Sequence, residues 1–104
     1  SVVLRDRRHL AQDGVIVVVL SMSGEDGELV SGPDIITRGF VYVREAEDML
    51  SEARDVARRA LDGCLKNNVR EWGNIKIQIR DTLSSYFYAC TKRSPMILPI
   101  IQEI

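Results

Sequence analysis

From Val15 to Met22 the chain reads Val-Ile-Val-Val-Val-Leu-Ser-Met, apolar at both phases of a two-residue repeat and mostly β-branched. That pattern predicts a strand buried on both sides, hence a central one. Ser23-Gly24-Glu25-Asp26-Gly27 predicts a hairpin loop, and a second strand starts at Glu28. This strand leads into Val30–Val43, where Gly32-Pro33 predicts a bulge or a sheet edge, because proline fixes φ and removes a ladder donor. Gly39 suits a backbone conformation closed to residues with a Cβ. Asp34 and Arg38 either pair across this turn or stand apart in solvent.

The apolar spacing then changes to that of a helix. Ala46, Met49, Leu50, Ala53, Val56, Ala57, Ala60, Leu61, Cys64 and Leu65 form a 3.6-residue stripe, predicting a helix from Arg44 to Leu65 that ends at Asn67-Asn68. Its first turn is acidic, as the helix dipole favours, and Asp55 stands one turn before Arg59, at ion-pair spacing. A second amphipathic helix is expected from Asn74 to Arg93, with Trp72, Ile75, Ile79, Leu83, Tyr86, Phe87 and Cys90 inward and Tyr88 half exposed. Pro95 stops it. Met96 to Ile101 predicts a third strand, placed at an edge by Pro99.

The order strand, strand, helix, helix, strand implies an α+β fold: a two-layer sandwich with a three-stranded mixed sheet (ββααβ) and two antiparallel helices on one face. If successive elements alternate in direction, the last strand runs parallel to the first, and the sheet order is second, first, third. Two helices cover one face only. Ile16, Val18, Leu20 and Met22 are the bulkier set and are assigned to the helices, which leaves Val15, Val17 and Val19 on the other side. Ile97 and Ile101 are expected to join them. Such an open aliphatic face predicts a protein–protein surface, against a second copy (a dimer by preference) or against the rest of a longer enzyme.

Composition narrows the function classes. With 104 residues, 45% apolar and 28% charged, the chain suits one small globular domain. A net charge of −1 gives no global attraction to nucleic acid or acidic membranes. No apolar run approaches the roughly 18–20 residues of a membrane span, and a cytoplasmic setting is expected. Cys64 and Cys90 both sit at apolar helical positions and read as reduced, buried thiols. His9 is the single histidine and has no ligand-type residue at metal spacing. Ser31, Ser84 and Ser85 lack a base, and Asp34 reads as turn chemistry, so no catalytic residue is assigned. Basic clusters remain: Arg5, Arg7 and Arg8 before the first strand, and Arg54, Arg58 and Arg59 on the first helix. Each is a candidate RNA contact, though a solvated charged face is the simpler reading.

The stretch Val30 to Glu45, with Gly32, Pro33, Asp34, Arg38, Gly39 and Phe40 at its heart, resembles the signature of the ribonuclease J C-terminal domain, from the metallo-β-lactamase/β-CASP family. Val3–Arg8, Asp13-Gly14, Ile79-Arg80-Asp81 and Arg93–Pro99 agree with it, so the resemblance covers nearly the whole chain. It implies a parent enzyme that cuts RNA internally and degrades it from the 5′ end, in mRNA turnover and rRNA maturation. It also implies zinc in a His-rich site, which a chain with one histidine cannot house. Residues 1–13 then read as a linker from a missing catalytic region and 14–104 as a non-catalytic C-terminal domain; the polar start without methionine agrees. The leading expectation is a domain for oligomerisation and for support of the catalytic region, meeting RNA through the parent. An RNA-binding module is the alternative, and a free-standing small-molecule sensor has no polar cluster to support it.

Overall fold

A computed structural model describes residues 13–39 and 46–104. Strand β1 (Val15–Met22) is central, as its two-sided apolar composition requires. It pairs antiparallel with β2 (Leu29–Arg38) and parallel with β3 (Met96–Glu103), giving the order β2-β1-β3. Helices α1 (Ala46–Lys66) and α2 (Trp72–Thr91) lie between β2 and β3 in sequence, so the architecture is the expected ββααβ sandwich.

The core forms where one face of β1 meets both helices. Ile16, Val18, Leu20 and Met22 are buried against Ala53, Ala57 and Leu61 of α1 and Ile75, Ile79, Leu83 and Phe87 of α2. Two alanines in the α1 stripe leave room for close approach, while α2 supplies the bulk. Each fully buried Leu, Ile or Phe contributes about 1.5–3 kcal/mol relative to exposure.

Element ends follow local backbone chemistry. Helix α1 closes as a Schellman motif: Asn68 takes a left-handed φ of 61°, and the Val69 N–H donates to the Cys64 carbonyl at 2.7 Å. Helix α2 ends at Thr91, two residues short of the expected Arg93, because Lys92 is left-handed and its N–H donates back to the Tyr88 carbonyl. Strand β3 continues past Ile101 to Glu103, since Ser21 and Met22 still offer partners to Gln102 and Glu103.

The break in β2 is a bulge at a sheet edge. Val19 pairs with Asp34 and Ser21 with Ser31, so Gly32 and Pro33 together oppose Leu20. The Gly32–Pro33 peptide is cis. Gly32 has φ +101°, and a Cβ there would stand 2.6 Å from the Val19 carbonyl oxygen, so only glycine fits. At the other end of the ladder Gly14, with φ +86°, would place a Cβ 2.6 Å from the Arg38 carbonyl. This close crossing holds the start of β1 against the end of β2.

Three expectations need correction. Ile97 and Ile101 do not join the open face: the parallel register pairs them with Ile16 and Leu20, so both turn toward the helices, and Ile97 is buried in the core. Cys90 is exposed: the last buried residue of α2 is Phe87, and position 90 lies beyond it in the final turn; Cys64 is buried as expected. On α1 the ion pair is Arg58–Asp62, at 3.2 Å, three residues along from the anticipated Asp55–Arg59.

Candidate functional site

The odd-numbered residues of β1 face away from the helices, and among the described residues no helix or strand lies over them. Cross-strand pairing arranges this face as a grid. In one row Arg38, Val15 and Met96 lie side by side; in the next, Ile36, Val17 and Leu98; in the third, Asp34, Val19 and Ile100. Ser31, Ser21 and Gln102 form a polar row beyond them and end the apolar surface. The valines are half-buried by their neighbours, while Ile36, Leu98 and Ile100 stand 55%, 42% and 44% exposed. Aliphatic side chains at that exposure keep unfavourable contact with water, which a second protein surface would relieve.

Of the anticipated face, Val15, Val17 and Val19 are therefore placed together. Ile36, Leu98 and Ile100 are the members that pattern reading missed. Met96–Ile101 is apolar at both phases, so no residue within it reports which side faces the helices. Only its pairing with β1 decides that.

The signature residues serve the same sheet. Gly32 and Pro33 build the bulge, Gly39 turns the chain at the end of β2 with a φ of +69°, and Asp34 and Arg38 stand apart, both exposed. Arg93 reaches back from the loop before β3, donating through Nη2 to the Gly39 carbonyl at 3.4 Å. The Ser94 N–H donates to an Asp13 carboxylate oxygen, and the Met96 N–H to the Gly14 carbonyl. The Arg93–Pro95 segment thus fixes where β3 enters the sheet, and through it the phase of Leu98 and Ile100. Phe40 lies outside the described residues, as do Arg5, Arg7, Arg8 and His9.

The arginines of α1 are exposed, and each has acidic or polar neighbours. Arg58 pairs with Asp62, Arg54 borders a depression shared with Glu47 and Asp48, and Arg59 lines an open cleft of about 290 Å³ with Asn67, Gln78 and Thr82. Cys64 also lines that cleft, and burial pushes its thiol pKa up, which disfavours the thiolate. Tyr86 donates its hydroxyl to the Met49 carbonyl at 3.2 Å; burial and then the neighbouring Cys90 and Glu52 raise its pKa, so it stays a neutral strut between helices. Among the described residues no three His, Cys, Asp or Glu side chains come together to hold a metal ion, and no helix is long and apolar enough to cross a membrane.

Comparison with known proteins gives the family. The family model described as the ribonuclease J C-terminal domain matches residues 2–104. The chain is 46% identical over 104 residues to Ribonuclease J2 of Bacillus subtilis (strain 168), which covers 100% of this chain and 19% of that protein. It is 43% identical, with the same coverage, to Ribonuclease J 2 of Staphylococcus aureus (strain NCTC 8325 / PS 47). The chain therefore spans about a fifth of the length of these curated relatives.

Proposed function

The chain belongs to the ribonuclease J C-terminal domain family, and from that premise we propose that it is the assembly and support module of a ribonuclease J-like enzyme. In this reading the domain has no active site of its own. The hydrolysis of RNA, internally and from the 5′ end, and the zinc chemistry that the metallo-β-lactamase resemblance implies belong to parts of the parent outside this chain. The observation that carries the proposal is the uncovered aliphatic grid centred on Val17. Burying half a dozen such side chains gives gross stabilisation on the order of 10 kcal/mol, from which the ordering costs of association are subtracted. A rigid sheet held by two helices is suited to presenting that surface in one orientation.

Val17→Asp tests it. A carboxylate at the centre of the grid is tolerated in water and penalised in any buried contact. In the intact enzyme this substitution is expected to lower assembly state or thermal stability, read by sedimentation and by the melting transition. If both are unchanged, the open face does not dock and the proposal fails.

RNA contact through Arg54, Arg58 and Arg59 is the second reading, favoured by the exposure of all three. Acidic neighbours at Arg54 and Arg58 weaken it. It requires affinity for a short RNA that falls steeply with salt. No binding at low salt removes it.

A further inference from the structure

We infer that the cleft between α1 and α2 is a binding site for a nucleoside monophosphate, with the phosphate at Arg59 and the base at Asn67 and Gln78. This goes beyond the assembly role, because the cleft is lined by the two helices and the turn between them, with no strand residue in it.

The cleft has two unlike ends. Arg59, Gly63 and Asn67 follow one another at four-residue steps along one face of α1, and the Asn67 N–H donates to the Gly63 carbonyl, so helical geometry reaches Asn67. Eight residues place Arg59 and Asn67 about 12 Å apart along the axis. The hydrogen bond from Tyr86 to the Met49 carbonyl shows α2 running back along α1, which sets Thr82 toward Arg59 and Gln78 toward Asn67. One end therefore offers a guanidinium and a hydroxyl, and the other offers two carboxamides. Among the described residues no carboxylate lines the cleft, and no hydrogen bond or ion pair engages these four side chains.

The floor between the ends is kept bare. Gly63 sits inside α1, where glycine is less stable than alanine. It has no positive φ, and a Cβ there would meet nothing within 4 Å. Neither backbone conformation nor close packing asks for glycine at 63. What its missing side chain preserves is the open space between Arg59 and Asn67, flanked by Ala60 and the Cys64 thiol.

These features suit a ligand that is anionic at one end and carries a flat, hydrogen-bonding group at the other. A guanidinium beside a hydroxyl holds a phosphate through charge-assisted hydrogen bonds. Carboxamides carry donor and acceptor together, as the edge of a base does, and can pair with it twice. Inorganic phosphate meets only the first end, and a nucleoside only the second. At about 290 Å³ and open to solvent, the cleft predicts modest affinity, on the order of 0.1–1 mM.

The test titrates the 15N-labelled 104-residue chain with each of the common ribonucleoside monophosphates to about 5 mM, following amide shifts by NMR. Saturable shifts centred on Gly63, Asn67, Gln78 and Thr82 are expected with at least one of them. The matching nucleoside and inorganic phosphate are each expected to bind about tenfold or more weakly than that nucleotide. Arg59→Gln is expected to weaken nucleotide binding about tenfold and to leave nucleoside binding unchanged. Gly63→Leu places a side chain on the floor and raises helix propensity, so binding is expected to disappear while the melting temperature holds or rises.

No saturable shift with any monophosphate overturns the site, and so does nucleotide binding that survives Gly63→Leu. Phosphate that binds as tightly as the nucleotide reduces the site to a lone arginine and overturns it too. A short RNA that shifts these amides when no monophosphate does would assign Arg59 to the RNA-contact reading instead.

Discussion

The two faces of β1 carry nearly the same residue types and meet opposite fates. Ile16, Val18 and Leu20 are fully buried, while Val15, Val17 and Val19, interleaved with them, remain half open to water. Neither strand propensity nor hydrophobicity separates the sets. What separates them is the supply of cover: the chain furnishes α1 and α2 on one side, and the other side depends on what the domain meets.

The sharpest way to break this comparison is to truncate both faces. Phe87→Ala, in the covered layer, is expected to lower the unfolding free energy by about 3–5 kcal/mol, from lost burial and the cavity left behind. Val17→Ala in the monomer is expected to change it by less than about 1 kcal/mol, because the site is already partly hydrated. Urea titrations of the two variants measure the contrast. Equal losses would mean that the supposed open face is covered. A smaller effect sharpens the same contrast within the helical layer. In the native protein a thiol reagent is expected to label exposed Cys90 quickly and Cys64 only after local or global unfolding, since Cys64 is buried and its thiolate is disfavoured. Mass spectrometry of timed aliquots reads the order, and early labelling at Cys64 would show that the helix pair opens readily.

Much of this was legible in the residues themselves. The two-sided apolar run placed β1 at the centre, and alternating direction supplied the sheet order. Gly32-Pro33 announced the bulge through proline's missing N–H. Other features were not legible, for physical reasons. Met96–Ile101 carries no polar residue to mark its phase, so pattern alone puts Ile97 and Ile101 on the wrong side and misses Leu98 and Ile100. Cys90 keeps the helical spacing but lies past Phe87, where burial along α2 ends, and spacing alone does not tell where the cover stops. The grid itself, and with it the candidate site, exists only once cross-strand register is known, since Asp34, Val19 and Ile100 come from three separated segments.

One consequence concerns what the sheet cannot do. Both outer strands are interrupted by an imino acid, Pro33 beside its irregular crossing and Pro99 midway along β3. Neither rim presents an unbroken ladder to an arriving strand, so sideways growth into ribbons or fibres is blocked at both margins.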